Sequence, residues 1–272
     1  MACRDLTRAG PAAEDIRRET GSELVEVMEL DLSSLQSVRD FASAFKAKGL
    51  RLHIVMNNAA VMACPFSQTE DGVETHMGTN HLGHFYLTML LFDLLEQSQP
   101  SRIINVSSMA HRDFTNSGGI HYDTLNDPKH YGINRGYGES KLANIYFTQE
   151  LAKRVRGKRI YTNTLHPGAT FTELQRNYEK LMPGWVSAFL LACMKPFLYL
   201  PADGALTQLY LATHPDVERL DIRGQFYLPI ARKATPYALG TNEVMAQKLW
   251  EWTVALVKEK DPNFELPEDL RD

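Results

Sequence analysis

The chain has few cysteines, no long apolar run and no surplus of charge of either sign. Its three cysteines, Cys3, Cys64 and Cys193, are far apart and odd in number, which excludes a closed disulfide framework and fits reduced thiols in the cytoplasm. Lys and Arg number 29 against 33 Asp and Glu, a formal net charge of −4, so there is no basic field for nucleic acid or for an anionic membrane. The most apolar stretch, WVSAFLLACMKPFLYL from Trp185 to Leu200, is interrupted by Lys195 and Pro196. It is too short to span a bilayer and reads as a buried helix or a lid. The N-terminus shows no signal-peptide or transit-peptide pattern, and there is no internal repeat or low-complexity linker. No G-x-G-x-x-G or T-G-x-x-x-G-x-G spacing occurs, so the glycine turn that sets a pyrophosphate on a helix N-terminus is not in the sequence.

What is present is an ordinary globular composition, 44% hydrophobic and 23% charged over 272 residues, enough for one large core. Short β-branched runs alternate with longer amphipathic ones. Val25–Leu32, Leu52–Asn58, Arg102–Ser108, Arg159–Gly168 and Gly224–Pro229 read as strands. Between them, Ser33–Gly49, Thr75–Gln97, Gly136–Val155, Asp203–His214 and Asn242–Glu259 have helical spacing and capping residues. Strands separated by helices imply βαβ units, and so an α/β fold with a mostly parallel sheet. One domain over residues 1–260 is expected, with a polar tail at 261–272 whose prolines and acids read as a surface extension.

The chemistry concentrates at GYGESKLAN, where Tyr137 and Lys141 stand one turn apart on an expected helix. That spacing puts both side chains on one face, where the ammonium favours the ionised phenol, and such a tyrosine can exchange a proton at neutral pH. Taken alone the pair also fits two solvated side chains. Upstream, RIINVSS ends a strand with Ser107 and Ser108, at the carboxyl edge where open α/β sheets place ligands. A hydroxyl there can hold a substrate oxygen; the pair equally fits a turn cap. NNAAV, Asn57 to Val61, places small residues directly after a strand, as a bound ligand or a tight turn requires. Asn80 lies inside an expected helix, a costly place for asparagine unless its side chain is engaged or simply exposed.

In order and spacing, NNAA, NHLGHF, NVSS, YGESKLAN and HPGATFTEL resemble the short-chain dehydrogenase/reductase family, from Met1 to about Trp252. The ACRD opening, the SKLAN run and the long insert between serine and tyrosine resemble its retinol dehydrogenase and WW-domain oxidoreductase branch. The resemblance implies a Rossmann-like doubly wound parallel sheet and hydride transfer with a nicotinamide cofactor. It implies Tyr137 as general acid/base, Lys141 as the group that lowers its pKa and holds the nicotinamide ribose, and Ser108, more than Ser107, as the substrate-orienting serine. Asn80 matches the asparagine that holds a relay water. Asn57, Asn58 and Ala59 match the turn against the cofactor, with Ala60 where many members have glycine. Asp31 and Leu32 match the adenine contact, and Pro167, Gly168 and Thr172 the loop at the nicotinamide carboxamide. Cys3 takes the place where users of NAD carry an acid, and Arg4 follows it; an arginine there meets a 2′-phosphate, so NADP(H) is expected over NAD(H).

By the same comparison MACRD closes the family's second strand, so the first strand, the glycine-rich turn, the first helix and most of the second strand would precede Met1. A fragment, or an internal methionine taken as initiator, is the expectation, with turnover by the given chain in doubt. The Val25–Leu32 strand is then expected to lack a neighbour and the Leu52–Asn58 strand to expose an apolar edge. An apolar lid at about 175–203 suggests a retinoid-, steroid- or lipid-like aldehyde, ketone or alcohol; core packing or a membrane-surface contact are the other readings of its composition. A homodimer through the Gly136–Val155 helix is plausible in this family, as is membrane association through a missing N-terminal anchor. His81 and His84 lack a third partner for a metal, and the Asn105-Val106-Ser107 sequon falls in an expected buried strand. The competing readings are a cofactor-deficient interaction module and, more weakly, a sugar-nucleotide epimerase relative, which the apolar 185–200 stretch disfavours.

Overall fold

Two strands, β4 (Ser101–Val106) and β5 (Ile160–Leu165), are buried at every position, as strands covered on both faces must be. They form the middle of a five-stranded sheet in the computed structural model, which describes residues 1–170 and 198–271. Its order is β3-β4-β5-β6-β7, with β3 at Ile54–Asn57, β6 at Phe226–Leu228 and β7 at Arg232–Ala234. The first four strands are parallel, and β7 returns antiparallel to β6. The doubly wound α/β expectation therefore holds for this sheet.

The N-terminal part differs from expectation. Met28–Glu29 (β2) is all that remains strand-like of Val25–Leu32, and it has a neighbour: Ala2–Cys3 (β1) pairs with it in parallel, Ala2 opposite Met28 and Cys3 opposite Glu29. Backbone bonds from Met28 to Met1 and from Leu30 to Cys3 close this ladder. Between the strands runs a helix absent from the sequence reading, α1 (Leu6–Thr20). Asp5 caps it by accepting from the Thr7 and Arg8 amides, and Gly21 ends it at φ 66° with Arg17 and Arg18 in the last turn. Only Ala9 and Ala13 are buried on it and Pro11 lies within it, so in the sequence it shows few large apolar residues and a proline that reads as a break.

The two sheets are separate. Edge strand β3 leaves Ile54 40% and Met56 36% exposed, as expected of an unpaired apolar edge. A cleft of about 570 Å³ runs between it and Met1–Arg4.

Helices α2 (Leu35–Ala47), α3 (Thr75–Met77), α4 (Gly83–Leu90), α5 (Phe92–Gln97), α6 (Ala110–Asp113) and α7 (Ile133–Arg154) pack around the main sheet. The tail corrects the surface-extension reading of 261–272. Phe264, Leu266 and Leu270 are buried in the core with Trp250 and Val257, and Asp261 takes bonds from Tyr86 and Arg39. Its apolar residues are interleaved with acids and prolines, so the mean composition hides an inward face.

Candidate active site

The carboxyl end of β4 and the first turns of α7 are tied together through one carbonyl. Val106 O accepts from Lys141 Nζ at 3.0 Å and from Asn144 Nδ2 at 3.1 Å. Lys141 is fully buried along α7, and burial pushes its ammonium down to about 7. Its Nζ stands 5.6 Å from the centre of the Tyr137 ring, one turn earlier. Tyr137 and Lys141 both line a cleft of about 650 Å³ at the sheet edge, together with Ser107, Ser108, His166, Pro167 and Gly168.

The serines divide their duties. Ser107 is buried and its hydroxyl donates to the Lys141 carbonyl at 2.7 Å, so it ties strand to helix. Ser108 is only half-buried and lines the cleft, and its Oγ accepts the Ala110 amide at 3.2 Å, so its hydroxyl can still donate to a ligand.

Asn80 sits in a π-helical turn, Gly78–Leu82, between α3 and α4. There its side chain accepts from the Val61 amide at 2.8 Å and donates to the Val61 carbonyl at 3.0 Å and to Ser140 Oγ at 3.0 Å. It thus staples the loop after β3 to α7, while its own carbonyl accepts from His84 Nδ1 at 3.1 Å. Asn57 is buried and donates to Asn105 and Thr88. Asn58 and Ala59 are exposed on the next two positions, and Asn58 Oδ1 accepts from Gln208.

Arg4, Asp31 and Leu32 lie apart from the tyrosine, lining the cleft between the sheets, and this cleft shares Asn58, Ala59, Ala60 and Val61 with the first. Arg4 Nε is 3.8 Å from Asp31 Oδ2, and Asp31 also accepts from the Ser33 amide and hydroxyl. Leu32 is buried, and its carbonyl would be 2.4 Å from a Cβ at Gly83. Gly168 adopts φ 90°, a conformation that excludes most other residues. Thr172 and most of the 175–203 lid lie outside the described residues.

Sequence reasoning passed over His166. Its Nδ1 is buried without a partner on the cleft wall, and burial pushes the ring down to about 4, leaving a neutral donor or acceptor for a ligand. With the Lys141 ammonium beside it, the donor set fits the amide and ribose end of a nicotinamide nucleotide. His81 and His84, pushed down to about 3 and about 4 by burial, are neutral, and they bond Thr253 and Asn80. Among the described residues no cluster of His, Cys, Asp and Glu is arranged for a metal, and no helix is long and apolar enough to cross a membrane.

A parallel sheet carrying this constellation at its carboxyl edge is the architecture of dinucleotide-binding oxidoreductases. Residues 2–124 match the short chain dehydrogenase family model. The chain is 42% identical to mouse retinol dehydrogenase 11 over 92% of its own length and 75% of the relative's. It is 38% identical to the chicken WW domain-containing oxidoreductase over 96% of its length and 62% of that protein. Among solved structures, a protein from Mycobacterium paratuberculosis matches at TM-score 0.69 and 32% identity, covering 98% of this chain and 84% of that one. The NADPH-bound carbonyl reductase from chicken fatty liver shares the fold at TM-score 0.60 and 18% identity, over 87% and 86% of the two chains. The chain belongs to the short-chain dehydrogenase/reductase family, and is an oxidoreductase of the class that uses a nicotinamide cofactor.

Proposed function

We propose that this protein interconverts an apolar aldehyde or ketone and its alcohol with NADP(H), using Tyr137, Lys141, Ser108 and Asn80. The observation that carries the reading is the convergence of Tyr137, Lys141 and Ser108 on one cleft with the Lys141 ammonium 5.6 Å from the phenol ring. When bound, the nicotinamide supplies or takes the hydride. Tyr137 gives the proton to the carbonyl oxygen in reduction and recovers it from the alcohol in oxidation. Ser108 holds the same oxygen by hydrogen bond, stabilising its developing charge. Lys141 favours the phenolate and reaches the ribose, and Asn80 keeps the Val61 loop and α7 in register. Pro167 and Gly168 would face the carboxamide, with Thr172 added by the resemblance alone; Arg4, Asp31 and Leu32 would face the adenosine end, with Arg4 favouring a 2′-phosphate. The retinol dehydrogenase at 42% identity supports the apolar substrate class, and a reductase of shared fold is known with NADPH bound. The substrate's apolar body is assigned to the 175–203 segment.

Tyr137→Phe tests the reading. It should lower turnover about 10²–10⁴-fold with NADPH affinity kept within about threefold; undiminished turnover removes Tyr137 from the mechanism. A second reading is an interaction module without cofactor. Calorimetric titration with NADPH separates the two, because a module need show no saturable binding.

A further inference from the structure

Behind the cleft wall that carries Ser108 sits a histidine with no part in the proposed chemistry. His111 on α6 is fully buried, and its ring packs edge to face on Phe226 of β6 at 5.4 Å. Its two nitrogens meet backbone groups of opposite kind. Nδ1 is 2.6 Å from the Ser108 carbonyl oxygen, and Nε2 is 3.2 Å from the Tyr237 amide nitrogen, 126 positions further along the chain. A carbonyl only accepts and a backbone amide only donates, so Nδ1 carries the proton, Nε2 offers its lone pair and the ring is neutral. Burial, which lowers the His111 pKa, favours the same form.

The far end of this bridge is itself anchored. Tyr237 precedes a short 3₁₀ turn, Ala238–Thr241, that is held from α7: Tyr146 Oη donates to the Leu239 carbonyl at 2.7 Å and Gln149 Nε2 to the Gly240 carbonyl at 2.7 Å. The turn is tight, since a Cβ at Gly240 would stand 2.7 Å from Pro236 Cβ. His111 thus connects the Ser108 backbone to the helix that carries Tyr137 and Lys141, by a route separate from the Ser107 bond to the Lys141 carbonyl. The Ser108 carbonyl already accepts the His111 amide at 3.1 Å, so the ring is not needed to satisfy it. What the ring adds is the link to Tyr237.

We propose that His111 is a positioning residue that fixes Ser108, and with it the hydroxyl that holds the substrate oxygen, relative to Tyr137. This rests on the assignment of Ser108 to that oxygen. A small displacement of a group that acts on the developing charge costs rate and leaves cofactor affinity alone.

The test is steady-state reduction of retinaldehyde by NADPH with the full chain, each variant being made also in a Ser108→Ala background. His111→Asn puts an amide where Nδ1 stands, so Ser108 keeps its partner while the bond to Tyr237 is lost. Tyr237→Pro deletes the same bond from its other end, at a φ of −55° that proline adopts; Tyr237→Ala, which keeps the N–H, is its control and should match wild type. His111→Asn and Tyr237→Pro should each lower kcat about tenfold, for a displacement short of the roughly 1 Å that costs about a hundredfold, with NADPH affinity kept within about twofold. In the Ser108→Ala background both effects should shrink below about twofold, because the group they position is gone. Either variant carries the test if the other does not fold. An unchanged kcat in the folded variants, a loss as large without the Ser108 hydroxyl, or an equal loss of NADPH affinity overturns the proposal. If Ser108→Ala alone leaves kcat undiminished, or wild type reduces no retinaldehyde, the assignment of Ser108 fails and the proposal fails with it.

Discussion

One side chain closes both backbone groups of a residue nineteen positions away. Asn80 accepts from Val61 N–H at 2.8 Å and donates to Val61 C=O at 3.0 Å. This is strand-like pairing supplied by an amide, and it fixes the loop shared by the two clefts. Asn80→Ala leaves the Val61 backbone and Ser140 Oγ without these partners. A loss of about 1–3 kcal/mol is expected in denaturant unfolding, with turnover falling as the loop loosens. An unchanged midpoint would show that the staple is replaced by water.

Ser107 and Ser108 should separate cleanly. Ser107→Ala removes the buried bond to the Lys141 carbonyl and should destabilise by about 1 kcal/mol. Ser108→Ala should leave melting unchanged and lower kcat more than tenfold, on the order of one lost oxyanion partner. Paired melting and rate measurements check the division; the reverse pattern would exchange the two roles.

Arg4 lines the cleft between the two sheets with 60% of its side chain exposed, and the proposed function assigns it to a 2′-phosphate. Arg4→Ser should weaken NADPH by about tenfold, one lost charge-assisted contact, and leave NADH unaffected. Equal weakening of both nucleotides in parallel titrations would refute a 2′-phosphate role.

The buried His76, paired with Glu74 at 2.8 Å, gives stability a defined pH course. Its folded pKa of about 9 lies above the ordinary 6.5, so its contribution is fully present below pH 6.5 and is lost as pH rises through 9. Unfolding of wild type and His76→Gln should therefore differ most at acid pH and converge above 9. A gap that widens with pH would mean that the histidine is neutral in the fold.

Ile54 and Met56 on edge strand β3 are partly exposed on the wall of the cleft that faces Met1–Arg4, where an unpaired strand edge can recruit a second chain. Met56→Lys should reduce self-association in analytical ultracentrifugation at equal protein concentration, and unchanged association would place the contact elsewhere.

Much of this molecule was legible because its signals are local. Tyr137 and Lys141 need only the helical period, and β4 and β5 announce themselves as short runs rich in β-branched residues. The Ser108 preference came from the family resemblance, and the Ser107 bond to the Lys141 carbonyl was not legible in the sequence. What escaped depends on distant partners. The β1–β2 ladder is two residues long and its partners are 26 positions apart, too short for any period to register. Helix α1 buries two alanines around a proline. The tail looked polar because Phe264, Leu266 and Leu270 are outnumbered by residues that face water. The buried Glu74–His76 pair carries no motif.

The proposed reaction is hydride transfer from NADPH to an apolar carbonyl at the Tyr137 cleft. The most direct measurement supplies NADPH carrying deuterium at the transferable position with a retinoid-like aldehyde, and reads the product alcohol by mass spectrometry. One deuterium on the carbinol carbon, formed by the wild-type chain and not by Tyr137→Phe, is the expected result. Alcohol without deuterium, or equal labelling with both proteins, would contradict the account.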